Sequence, residues 1–161
     1  MKKIASFTID HIHMLRGIYL SRTDNVGNET ITTFDIRMKE PNREPALSIE
    51  ALHVMEHLAA TFLRNHVAWA DRLIYWGPMG CCTGNYLVVR GKLLPQDMVA
   101  VMQETFQFIA DFEGDIPGMT PRDCGNYSLQ DLPAAKKESR KFLVEVLHEI
   151  KSQNMEYPSE D

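Results

Sequence analysis

The stretch Ser48-Ile49-Glu50-Ala51-Leu52-His53-Val54-Met55-Glu56-His57-Leu58-Ala59-Ala60-Thr61-Phe62-Leu63-Arg64-Asn65-His66 decides how the chain is read. Leu52, Met55, Ala59 and Phe62 recur at three- and four-residue spacing. They form one apolar stripe of a helix, and such a stripe docks on a core. His53, Glu56 and His57 share another face, because residues three and four apart are neighbours on a helix. Ser48 follows a loop holding Pro41 and Pro45 and precedes the first apolar turn, the place of an N-cap. Two imidazoles one turn apart can converge on one metal ion, with Glu56 beside it and outside the ligand set.

Working outward, residues 18–22 and 30–38 have the composition of two strands, joined across the turn-rich Asp24-Asn25-Val26-Gly27-Asn28. In the second, Phe34, Ile36 and Met38 alternate with Thr33, Asp35 and Arg37, so one face packs and the other offers a charged surface. Beyond the helix, Leu73 to Trp76 and Tyr86 to Val89 are further strand segments. The tight run Met79-Gly80-Cys81-Cys82-Thr83-Gly84 lies between them, and its glycines permit close approach of backbone to a ligand. A second helix opens at Pro95, presents Met98, Val101, Met102, Thr105, Ile109 and Phe112 on one side, and stops at Gly114. The patternless loop Gly114 to Tyr127 has the length of a functional loop. A third helix is expected from near Pro133 past Ile150, and residues from about 154 to 161 form a frayed acidic tail.

With 161 residues, 44% apolar and 24% charged, the chain has the composition of a single globular domain. A net charge of −5 gives no electrostatic reason to expect nucleic acid or an anionic membrane as partner. The N-terminus lacks the apolar run of a signal peptide, and no stretch is long enough to span a bilayer. Three cysteines, two of them adjacent, argue against a secreted disulfide framework, so a reducing cytoplasm is expected.

His53-x-x-Glu56-His57 inverts the spacing of a zinc-peptidase helix. Cys124, in the long loop, is the best third ligand. Two imidazoles and one thiolate leave a coordination position open, the property that separates catalytic from structural sites. Cys81 is a candidate nucleophile or proton-transfer group, and Cys82 competes with it. Arg37 and Arg64 suit a two-pronged bond to a carboxylate. Ser6 and His11 are further polar candidates.

Taken in order, Ser6-Phe7-Thr8-Ile9-Asp10-His11, Phe34-Asp35-Ile36-Arg37, Pro41-Asn42, His53-Val54-Met55-Glu56-His57 with Arg64, Pro78-Met79-Gly80-Cys81, Thr83-Gly84 and Cys124-Gly125 resemble the S-ribosylhomocysteine lyase (LuxS) family over most of the chain. That resemblance implies an α+β fold, an antiparallel sheet packed against helices. It also implies ferrous iron, or zinc or cobalt in its place, on His53, His57 and Cys124. Glu56 and Cys81 would be the acid/base pair. Ser6, His11 and Arg37 would surround the ribosyl part, and Arg64 would lie near the homocysteine end. The implied reaction migrates a carbonyl along the ribosyl chain and expels homocysteine by β-elimination, leaving the dihydroxypentanedione precursor of a bacterial quorum signal. A homodimer with sites at its interface is implied too. Cys82, Asn85 and Tyr75-Trp76-Gly77 depart from the family's usual residues. Two other readings compete: an inverted-motif metallopeptidase, and a non-catalytic domain that keeps a metal for folding.

Overall fold

A computed structural model describes residues 1–158. The chain begins with a short 3-10 turn at Ala5–Phe7 and continues into a hairpin of β1 (Gly17–Val26) and β2 (Glu29–Arg37). The organising stretch forms α1 (Ile49–Asn65). A second hairpin, β3 (Leu73–Pro78) and β4 (Gly84–Arg90), is followed by α2 (Pro95–Asp111) and α3 (Leu132–Glu145). The four strands make one antiparallel sheet in the order β1-β2-β4-β3. This is the expected α+β architecture in a single compact domain.

One face of the sheet carries the core. Phe34 pairs with Leu87, and Ile36 pairs with Ile18. These side chains join Leu52, Val54, Met55 and Leu58 of α1, Met98, Met102 and Phe106 of α2, and Phe142 and Leu143 of α3 in one buried cluster. Burying each large apolar side chain contributes roughly 1.5–3 kcal/mol. Phe62, expected on the docking stripe, is half-buried and stacks on Phe108 of α2 at 5.0 Å between ring centroids. Ser48 caps α1 as expected, its side chain accepting from the Ala51 N–H at 3.2 Å.

Several boundaries differ from the sequence reading. The first hairpin is longer, with strand pairing out to Val26 and Glu29 and only Gly27 and Asn28 in the turn. The polar residues Asp24 and Asn25 read as turn formers, yet cross-strand pairing carries them into the ladder. The third helix stops at Glu145, not past Ile150. Val146 leaves helical geometry, a short 3-10 turn follows at Leu147–Glu149, and Ile150 is extended. Leu147 is still buried there, so the apolar spacing that suggested a longer helix reports burial without α-helix. Within the stretch read as an acidic tail, Tyr157 stacks face to face on Tyr19, with 4.8 Å between centroids. Ser159, Glu160 and Asp161 lie outside the described residues.

Strand alternation leaves Thr33, Asp35 and Arg37 on the other face of β2. It is not the open charged surface expected: Asp35 is 1% and Arg37 3% exposed. Each carries the other's counter-charge, and the C-terminal segment lies over them.

Replacing Ser48 by Ala removes the cap of α1 and should cost about 1 kcal/mol, lowering the melting temperature by roughly 2–4 °C. A thermal melt followed by circular dichroism checks this, and an unchanged midpoint would show that the cap contributes nothing.

Candidate metal centre

Helix α1 places His53 and His57 one turn apart, their rings edge to face with centroids 4.8 Å apart. The loop between α2 and α3 closes over them. Its Cys124 N–H bonds to the Thr120 carbonyl at 3.0 Å, a turn that brings Cys124 Sγ to 3.4 Å from His53 Nε2. Ligand atoms of His53, His57 and Cys124 all lie within 4.8 Å of one another.

The same loop orients both imidazoles. His53 Nδ1 bonds to the Leu129 carbonyl at 2.6 Å, and His57 Nδ1 to the Pro117 carbonyl at 2.8 Å. A carbonyl only accepts, so each Nδ1 carries the proton and each Nε2 keeps its lone pair. Metal-binding histidines are commonly held in this way, with the second nitrogen donating to a carbonyl or carboxylate. The donor set of two neutral imidazoles and a thiol fits a borderline transition metal, and would suit magnesium or calcium poorly.

Gly118 follows Pro117 with φ +70°, a left-handed conformation that favours glycine, and a Cβ there would stand 3.3 Å from His57 Nδ1. Glu56 is half-buried on the same helix. With His57, Ala60, Thr61, Pro117 and Gly118 it lines a small cavity of about 310 Å³.

The other named residues, Arg64 excepted, gather on the opposite face of the sheet. Arg37 grips Asp35 with two N–H groups, Nε at 3.0 Å and Nη2 at 2.5 Å, leaving Nη1 to bond Thr83 Oγ1 at 2.6 Å. Cys81 Sγ lies 3.0 Å from Thr83 Oγ1 and 3.8 Å from Arg37 Nη1. Burial pushes the Asp35 carboxyl above the usual carboxylate range, with Arg37 and Tyr157 pulling against it. Removing one partner of so buried a pair would cost roughly 3–5 kcal/mol.

The structure separates the two adjacent thiols. Cys81 is exposed and faces Arg37 and Thr83. Cys82 sits at φ +59° in a tight turn, with its carbonyl accepting from Leu47 N–H and its sulfur directed at the Gly80 carbonyl.

Ser6 lines a cavity of about 770 Å³ on this outer face, shared with Tyr75, Tyr86 and Tyr157. His11 is half-buried with Nδ1 2.8 Å from the Ile9 carbonyl. Arg64 lies apart, exposed at the end of α1 and donating to the Ile74 carbonyl at 3.1 Å. Among the described residues, no hydrogen bond joins the Cys81 group to the His53, His57 and Cys124 group.

A family described as S-Ribosylhomocysteinase (LuxS) matches residues 4–153. The chain belongs to the LuxS family. It is similar to the S-ribosylhomocysteine lyase of Phocaeicola vulgatus, 65% identical over 161 residues and covering all of both chains. It is similar also to that of Porphyromonas gingivalis, 58% identical over 158 residues, which is 98% of this chain and 99% of the relative. The S-ribosylhomocysteine lyase of Clostridium beijerinckii is 51% identical over 159 residues, 99% of this chain and all of the relative. LuxS membership accounts for the order of motifs from Ser6 to Cys124.

Sequence reasoning put Asp35 on the charged strand face and Thr83 among the motif residues without giving either a role, and it missed Tyr157. The i, i+2 spacing of Asp35 and Arg37 was a usable signal, because it puts both charges on one strand face. Nothing local marks Tyr157.

Cys124→Ala should deplete bound metal, measured by elemental analysis after purification. Gly118→Ala should keep the ligands yet weaken affinity by about 10–100-fold, because it disturbs the carbonyl that holds His57. Chelator competition giving the same affinity as the parent chain would contradict that orienting role.

Proposed function

We propose that the chain cleaves S-ribosylhomocysteine to homocysteine and 4,5-dihydroxypentane-2,3-dione, using a divalent metal held by His53, His57 and Cys124. One observation carries this reading within the LuxS family. Two imidazoles with both Nδ1 atoms tied to backbone converge with a cysteine sulfur, and a carboxylate, Glu56, stands beside them. Ferrous iron is the assigned metal, with zinc or cobalt as substitutes, since all three suit a nitrogen and sulfur donor set. When bound, the ion supplies Lewis acidity toward carbonyl and hydroxyl oxygens of the sugar chain.

The chain's own residues then move protons. Glu56 takes a proton from the ribosyl carbon next to the carbonyl onto a carboxylate oxygen and returns it to the former carbonyl carbon, while the hydroxyl proton passes from the one carbon's oxygen to the other's, so the carbonyl advances one position. Cys81 Sγ makes the complementary transfers, held in place by Thr83 Oγ1 and Arg37 Nη1. In the last step a proton is removed from the carbon next to the one bearing sulfur. The carbon–sulfur bond then breaks with its electron pair leaving on sulfur, which is protonated to the homocysteine thiol. Ser6, His11 and Arg37 bind the ribosyl part, and Arg64 takes the homocysteine end.

Glu56 and the ligands lie on the helix side of the sheet, and Cys81 and Arg37 on the other side. We therefore assign the active unit as a homodimer with sites at its interface, in which the outer face of one sheet meets the metal centre of the second chain. The large cavity beside Ser6 and the exposed apolar residues Phe7, Ile12 and Tyr75 support that surface. The net charge of −5 supports a small-molecule substrate over nucleic acid or an anionic membrane. Among the described residues, no helix is long and apolar enough to cross a membrane. A reducing cytoplasm suits the three free thiols, and the dione product suits a quorum-signal precursor. A metallopeptidase of the inverted-motif class draws its third ligand from a downstream carboxylate, whereas here the converging atom is a sulfur.

Iron-loaded protein, kept anaerobic with S-ribosylhomocysteine, should release thiol that can be titrated. Glu56→Gln and Cys81→Ala should keep metal and fold but lose roughly 100-fold or more in rate, the usual contribution of a positioned acid/base group. Cys82→Ala should stay near the parent rate. A fast Cys81→Ala with a slow Cys82→Ala would transfer the role to the other thiol.

A further inference from the structure

The C-terminal segment reaches the Cys81 cluster by a continuous set of contacts. Gly17 lets it approach: a Cβ there would meet the Asn154 carbonyl oxygen at 1.9 Å. Asn154 Nδ2 donates to the Arg16 carbonyl at 2.8 Å. Tyr19, anchored by its hydroxyl to the Leu15 carbonyl at 2.9 Å, provides the flat surface on which Tyr157 stacks, the planes 6° apart. The stack aims the Tyr157 hydroxyl at Asp35, donating to Oδ2 at 3.0 Å. Burial and the neighbouring Asp35 hold the Tyr157 phenol above its ordinary value, so it stays a donor at neutral pH.

Among the described residues, the Asp35 carboxylate accepts from Arg37 and Tyr157. Oδ1 takes Arg37 Nε, and Oδ2 takes Arg37 Nη2 together with the Tyr157 hydroxyl. This fixes the plane of the guanidinium, because a bidentate pair admits little rotation. The remaining nitrogen, Nη1, is thereby directed at Thr83 Oγ1 and Cys81 Sγ. The Tyr19–Tyr157 stack also helps keep water from the pair, which strengthens its electrostatics. We infer that Tyr157 is a positioning residue for Cys81, acting through Asp35 and Arg37. Its consequence for turnover rests on the proposed lyase function, whereas its effect on the sulfur does not.

The test uses the full chain and measures the rate at which iodoacetamide alkylates Cys81 at fixed neutral pH. Peptide mass spectrometry separates Cys81 from Cys82 and Cys124. A guanidinium N–H kept on a sulfur favours the reactive thiolate. Tyr157→Phe removes one oxygen and keeps the stack on Tyr19. Alkylation should slow on the order of tenfold, the scale of one hydrogen bond to a charged group. In an Arg37→Met background the same Tyr157→Phe change should have no further effect, since the route through Arg37 is already cut. A Tyr157→Phe chain alkylated within about twofold of the parent, or an undiminished effect in the Arg37→Met background, would overturn the inference. A tail that only docks would lower the melting temperature in both backgrounds and leave alkylation unmoved. Alkylation requires no turnover, so failure of the parent chain to release thiol from S-ribosylhomocysteine would sink the proposed function alone.

Discussion

The site depends on two hydrogen bonds from imidazole Nδ1 atoms to backbone carbonyls of a single loop. Pro117 holds His57 and Leu129 holds His53, while Cys124, between them in sequence, supplies the third converging atom. A helix alone puts two histidines on one face but leaves their tautomers and ring rotations free. The loop removes that freedom, so both Nε2 lone pairs face the same point. It also brings a thiol there without extending regular structure. A mobile version of this loop would lose ligand and orientation together.

The sheet contributes a different kind of order. Its inner face is a hydrocarbon layer against three helices, whereas β2 carries a buried ion pair on its outer face, an arrangement that costs desolvation and repays little in stability. The return is geometric. With Asp35 holding two of its nitrogens, Arg37 has one left to aim, and it aims at Thr83 and Cys81. The three converging donor atoms and the Cys81 sulfur are thus built on opposite sides of one sheet. In the proposed homodimer, a second copy of the chain brings the two together.

Much of this was legible in the residues. Apolar spacing in α1 and α2 located the core faces, and Ser48 marked a helix start because its hydroxyl has a stereotyped use there. The i, i+4 histidines and a lone loop cysteine identified the converging atoms, since the motif restricts which side chains can meet. What escaped was set by tertiary contact. The ladder between β1 and β2 recruited Asp24 and Asn25, which local preference assigns to a turn. Leu147 stays buried in a 3-10 turn, so its spacing extended α3 too far. The face of Asp35 and Arg37 was read as an open charged surface because the Tyr157 hydroxyl that bonds Asp35 comes from far along the chain, and no local pattern reports such a partner.

The most direct test of the central claim is X-ray absorption of the zinc-substituted protein. The account predicts one sulfur scatterer at about 2.3 Å, two imidazole nitrogens at roughly 2.0–2.1 Å, and one exchangeable light ligand, the distances typical of a zinc site with an open position. A shell without sulfur, or one filled by four protein atoms, would contradict it.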